Sequence, residues 1–193
     1  MDTATAVLSS SARAITRLGQ VAFARAAGAR QATVSEAESS KTDVRTSTLE
    51  SFLAVAGLKL TAIPTAHPTA AETAWLIRRS LEAASHDAAL RNFLDLAQGL
   101  AAEDAVTRAA LCVLPPMLTG SRDWDAALAA LVEYRLDEVG IAAPGWTGQP
   151  ERTADGLASP QLGVYDLPAR VESGLEAFLR HNVVLEPATL ASV

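Results

Sequence analysis

Side chains with reactive chemistry are few and scattered in this chain. The three histidines, His67, His86 and His181, lie far apart, and none has a partner at helical spacing or a CxxC pair to complete a metal set. Cys112 is the single cysteine, which rules out an internal disulfide and fits a reducing compartment. It stands in the apolar run AALCVLPPML and reads as a packing thiol rather than a nucleophile. There is no glycine-rich phosphate loop, nucleophile elbow or HExxH. The acidic pairs Glu103 with Asp104 and Asp123 with Asp125 fall at expected helix starts, where they offset the dipole. The expectation is a protein that is not an enzyme and carries no metal and no cofactor. What remains is hydrogen-bonding chemistry, and its best-patterned set is Gln31, Ala32, Ser35 and Glu36.

Two short helices must place that set. Gln20 opens the first, with Val21, Phe23, Ala24 and Ala27 expected inward, and Gly28 supplies the positive φ that ends it. The second is expected over Arg30 to Ser39, with Val34 and Ala37 on the buried side. Gln31, Ala32, Ser35 and Glu36 then face outward. A face of that size and polarity can enter the major groove of DNA.

The run Gln20, Phe23, Ala24, Ala27, Gly28, Thr33, Val34, Ser35 and Glu38, with Ser47, Leu49, Leu53 and Gly57 further on, resembles the Xre/Cro-type helix-turn-helix of phage repressors and bacterial antitoxins. The resemblance implies that Gln31, Ala32 and Glu36 meet base edges, and that Gln20, Ser39, Lys41 and Thr42 hold backbone phosphates. Arg30, Thr33, Ser35 and Arg45 complete the implied DNA-facing set, and Gln31 has the amide that pairs with adenine. It also implies a structural ion pair between Arg13 and Glu38. The chain departs from the family pattern at Gly19 and Arg30, where Ser or Thr caps are usual, and at Ser39 and Ser40, which replace a glycine turn.

Bulk properties agree with a globular, mostly helical chain: 49% apolar and 20% charged residues with only 5% aromatics, in 193 residues rich in alanine. Net charge is −6, unevenly spread. Residues 1–65 hold seven basic against five acidic side chains, and the remainder nine against seventeen. That suits an N-terminal part that meets phosphates, or equally an acidic solvated surface. No signal peptide and no span long enough to cross a bilayer is read, so a cytoplasmic protein is expected.

In chain order, residues 5–18 read as a first helix through Val7, Leu8, Ala12, Ile15 and Leu18, weakened by three serines. Ser47 is read as a cap, with Glu50 completing a capping box. Residues 58–64, LKLTAIP, alternate as a strand does, with Leu58, Leu60 and Ala62 on one side. Such a strand needs a partner, either its copy in a homodimer or another strand of the same chain. Residues 64–69 read as a linker that leaves His67 exposed, and Thr69 with Glu72 as a further capping box. Helices follow over 70–84, 87–99, 103–114, stopped by Pro115 and Pro116, and from a cap at Asp123 to Gly140. An irregular stretch from 142 to 170 reads as an arm or a partner-binding segment, with a short helix over 173–180, a left-handed cap at Asn182 and a last turn from Pro187.

The segments WDAALAALVEYRLDEVG, PGWT and VESGLEAFLRHNVVLEPATL look like the C-terminal half of actinobacterial Xre-type regulators, many encoded beside a toxin of nucleotidyltransferase type. That resemblance makes Trp146, Tyr165, Phe178 and Arg180 candidate toxin contacts, each with local packing as its alternative. The resulting expectation is a mainly α protein. It has an N-terminal helix-turn-helix bundle with a short dimerisation strand over 1–64, a helical domain over 65–120 and a partner-binding region over 121–193. The expected function is a repressor that binds a palindromic double-stranded operator as a homodimer and neutralises a cognate toxin. The alternative is a ligand-sensing one-component regulator without a toxin.

Overall fold

The computed structural model describes residues 3–159 and 174–191. Its order is α1 (Thr3–Thr16), α2 (Gln20–Ala26), α3 (Gln31–Glu38), α4 (Thr46–Val55), α5 (Ala70–Glu82), α6 (His86–Ala102), α7 (Ala105–Cys112), α8 (Arg122–Asp137), a 3-10 turn (Pro150–Arg152), α9 (Glu176–Arg180) and α10 (Pro187–Ala191). The fold is therefore mainly α, in two compact units, Met1–Ile63 and Pro64–Val193.

In the first unit, α1 to α4 close around Phe23 and Phe52, whose ring centroids lie 5.6 Å apart, with Val34, Ala37, Leu49 and Leu53 filling the space beside them. Helix α2 ends as its glycine dictates. Gly28 has φ +66°, and the Ala29 N–H reaches back to the Ala24 carbonyl at 2.9 Å, a reversal an L-residue enters only with strain. Helix α3 ends in the same kind of reversal without glycine: Ser40 sits at φ 54° and the Lys41 N–H bonds the Glu36 carbonyl at 3.0 Å. Val21, expected inside, is 66% exposed, because the tight α2–α3 corner buries only Phe23 and Ala24 of its helix. The capping box expected at Ser47 and Glu50 is absent: α4 begins two residues earlier, with Arg45 at the cap position and no side-chain cap bond.

The strand expected over 58–64 is also absent. Among the described residues nothing pairs with this stretch, and an extended segment without a ladder is not a strand. Leu58 instead finishes α4, its N–H bonded to the Leu53 carbonyl at 2.9 Å and its side chain against the first core. Leu60 and Ala62 are exposed, so the three residues expected on one face do not share one.

The second unit is built round α8. Nine consecutive residues, Trp124 to Val132, are buried, which makes this a central helix rather than one with an apolar stripe. Four of them are alanines, small enough for neighbouring helices to approach from several sides. One apolar core draws on α5 to α10 together, from Ala70 to Leu190. Helix α5 has the expected reciprocal cap between Thr69 and Glu72. His67 is not exposed but lies over Gly99: a Cβ there would stand 2.8 Å from the histidine Cβ, so only glycine permits the approach. The stretch 142–159 is no free arm either, since the Trp146 indole N–H bonds the Cys112 carbonyl at 2.9 Å. The segment also pairs with the chain after α9 through a parallel bridge between Ala158 and Val183. Asn182 has the expected left-handed φ of 57°.

Asp123 does not cap α8; the helix starts at Arg122 after Ser121. Asp125, expected to offset the dipole at an open helix end, is buried and accepts the Thr119 N–H at 2.8 Å. It faces the guanidinium of Arg152 at 3.5 Å, and that group stacks 5.1 Å over the Trp146 ring and donates to the Pro116 carbonyl. Burial pushes the Asp125 carboxyl up against the pull of Thr119 and Arg152, and pushes the Arg152 guanidinium down. Burial likewise pushes the Cys112 thiol up to about 12, which suits packing and not attack. Removing one member of a buried pair strands the other. Asp125→Ala should therefore cost about 3–5 kcal/mol in denaturant unfolding. Arg78→Ala, which breaks an exposed pair with Glu82 at 3.0 Å, should cost about 0.5 kcal/mol or less. Equal losses would contradict this division of buried from surface charge.

Candidate nucleic-acid interface

The outward side of α3 carries the hydrogen-bonding set. Gln31, Ala32, Glu36 and Ser39 are exposed, Thr33 and Ser35 half-buried, and only Val34 and Ala37 are in the core. Helix periodicity explains the division, because 34 and 37 lie three apart on the side facing Phe23 and Phe52. Arg30, Lys41, Thr42 and Arg45 are exposed at the two ends of this face and in the loop after it. Neither α3 nor α4 has a side-chain cap, so the first amide N–H groups of both helices stay open to solvent or to an anion. Between the two helix starts lies a cleft of about 470 Å³ lined by Gly28, Arg30, Thr33, Ser47, Thr48 and Ser51.

Behind the face runs a chain of polar contacts. Arg13 of α1 grips Glu38 of α3 with two nitrogens, at 2.5 and 3.2 Å. The carboxylate is 9% exposed and the guanidinium 31%. The Gln20 Nε2 donates to Glu38 Oε2 at 2.8 Å, and Gln31 Nε2 donates to Gln20 Oε1 at 2.8 Å. The order of these bonds has a chemical cause. A carboxylate only accepts, so Gln20 must turn its NH2 toward Glu38 and its oxygen toward Gln31. Gln31 must then give one N–H to Gln20, which leaves its Oε1 and a second N–H facing outward. That is the donor–acceptor pair matching the N6 and N7 of adenine.

The sequence-derived set is therefore brought together in large part. Gln20 differs from its expected place at a phosphate: its amide is engaged within the fold, as a support for Gln31. Ser39 turns its hydroxyl back to the Ser35 carbonyl at 2.8 Å. Sequence reasoning missed the uncapped start of α4 with Ser47, Thr48 and Ser51, although Arg45 at a cap position was a signal for it. Of the four candidate toxin contacts, Trp146 and Phe178 are core residues at 3% and 0% exposure, so their role is packing. Arg180 is exposed, with Glu133 at 3.4 Å and Glu176 at 3.3 Å. Tyr165 lies outside the described residues.

No group of three or more His, Cys, Asp or Glu side chains that could hold a metal, and no helix long and apolar enough to cross a membrane, occurs among the described residues. No protein-family model matches the chain, and neither a curated protein nor a solved structure matches it significantly.

Because Glu38 joins α1, α2 and α3, its loss should be felt beyond one bond. Glu38→Ala should destabilise the first unit by about 1–3 kcal/mol, since it leaves Arg13 and Gln20 without their acceptor. It should also broaden the Gln31 side-chain amide signals in NMR. Unchanged stability with an unchanged Gln31 amide would show that the contacts are ornamental.

Proposed function

We propose that this chain is a sequence-specific DNA-binding transcriptional repressor of the Xre/Cro-type helix-turn-helix class. In this reading it acts in the cytoplasm as the antitoxin of a toxin–antitoxin pair and represses its own operon. The observation that carries the reading is the outward face of α3, with Gln31 held through Gln20 and Glu38 so that its amide meets the surface in one orientation. Cations at the rim of that face and open amide groups at two helix starts support it, because phosphates fix a reading helix while bases are read from its middle. A homodimer would set two such helices about 34 Å apart on a palindromic double-stranded operator. The antitoxin role rests on the likeness of the C-terminal segments to regulators encoded beside toxins, with Arg180 as the candidate contact that remains on the surface.

Two measurements test this. In mobility shifts against its own upstream region, the chain should bind with an affinity that falls steeply with salt. Gln31→Ala should relax the preference at one base pair by about 1–3 kcal/mol without changing the salt slope. Binding that ignores both salt and sequence would overturn the repressor reading. Co-purification with the neighbouring gene product should give a stable complex. A chain that binds DNA alone and releases it only on adding a metabolite would replace the antitoxin role by the ligand-sensing one.

A further inference from the structure

Helix α7 shows the solvent an uncharged side. Between Asp104 and Arg122 the chain has a single charged residue, Arg108, and the fold turns its guanidinium inward onto the carbonyls of Ala101, Glu103 and Arg135 and the carboxylate of Glu138. Asp104, the nearest anion along the chain, caps its own helix, accepting from the Val106 and Thr107 N–H groups and the Thr107 hydroxyl. What remains outward is apolar. Val106 is 78% and Val113 65% exposed. One exposed valine needs no explanation, but these two share a face. Val113 keeps a helical φ of −66° and ψ of −35°, so the seven residues from Val106 to Val113 make about two turns. Ala109 and Ala110, half-buried, lie between them on the same side. The uncharged surface continues past the helix through half-buried Leu114, Pro115 and Met117 to Leu118, which is exposed.

We propose that this face of α7 is the contact between two copies of the chain, packed antiparallel across a two-fold axis. The proposal goes beyond the DNA-binding reading, since it stands on α7 and not on α3. It gives a homodimer an interface in place of the segment 58–64, which has no ladder among the described residues. The occupant follows from symmetry. An isologous contact needs a patch that complements itself. Val106, Ala109, Ala110 and Val113 read large, small, small, large in both directions, with their midpoint between the two alanines. A two-fold axis through that point brings Val106 of each copy against the partner's Val113. It also sets the alanines where the helices cross, which allows an axial separation of about 8 Å, the short end for packed helices. A foreign partner would require no such symmetry. Absence of charge at the centre is what an interface core shows. Two turns of helix and the loop after them make a patch at the small end of specific interfaces, below about 600 Å² per copy. The dimer is therefore weak, dissociating on the order of micromolar rather than nanomolar concentration.

The test is sedimentation equilibrium of the full native chain without DNA across the micromolar range, beside Val106→Glu, Val113→Lys and their equimolar mixture. The native chain should pass from dimer to monomer on dilution. Both substitutions fall at exposed positions and should keep the native melting temperature. Each alone should weaken association by roughly tenfold or more, because the new charge is covered by valine. The mixture should regain the dimer, since the antiparallel register sets the two opposite charges against each other. A native chain that is monomeric throughout overturns the proposal, even if this face is then found to bind a different protein. Dimers that ignore both substitutions, or a mixture that stays monomeric, overturn it as well, and all three results leave the reading of α3 standing. A dimer that behaves as expected but binds no DNA supports the interface and overturns the DNA-binding reading.

Discussion

The ion pair between Arg13 and Glu38 is the constraint on which the presentation of α3 depends. Helix α3 has eight residues, fewer than an isolated helix needs to persist in water, and it buries only Val34 and Ala37. Those two small side chains hold the helix near the core but do little to fix its rotation. The Arg13 grip adds a directional bond from α1, and Gln20 adds one from α2, both on the same carboxylate. With the carboxylate fixed, the amide of Gln31 follows at the far end of the chain of bonds. A face positioned in this way loses little side-chain freedom when it meets a ligand, which favours recognition over adaptable contact.

The second unit solves a different problem. The middle of α8, Trp124 to Val132, is buried on all sides, and the helix provides the wall against which α5, α6, α7 and α9 each pack. Charged groups are drawn into that wall rather than left outside. Arg108 donates to the carbonyls of Arg135, Ala101 and Glu103, and so ties α7 to the ends of both α6 and α8. Arg152 does the same for the loops at the other end of α8, through Pro116 and Asp125. The ring of His181 adds a further tie, one nitrogen 2.7 Å from the Arg152 carbonyl and the other 3.2 Å from Glu133. Such buried polar ties contribute little net stability but penalise alternative packings of an alanine-rich core, whose small side chains specify few unique contacts.

Much of this was legible in the chain where a local rule decides the outcome. Gly28, Asn182 and the Thr69–Glu72 cap behave as their residue types demand, because turn and cap chemistry is settled within a few residues. The run 58–64 misled because alternation is a property of the segment and a strand is a property of a pair; with no partner among the described residues, Leu58 simply closes α4. Asp125 and Trp146 misled for a related reason. An acidic residue near a helix start, and a tryptophan in a Pro/Gly-rich stretch, both suggest the surface, and only the distant Arg152, Thr119 and Cys112 carbonyl explain their burial. On α3, periodicity sufficed to sort inner from outer residues, and the Arg13–Glu38 pair was expected from family resemblance. The step from Glu38 through Gln20 to Gln31 spans 18 residues and then 11, and only the folded geometry joins them.

The most direct measurement of the central claim is a backbone and side-chain amide NMR titration of the intact chain with duplex DNA from its own upstream region. The account predicts that the largest shifts fall on Gln31 to Ser39, on Lys41 to Arg45 and on the first turn of α4, with the Gln31 side-chain amide among them. Shifts confined to residues after Pro64, or none on the outward side of α3, would contradict it.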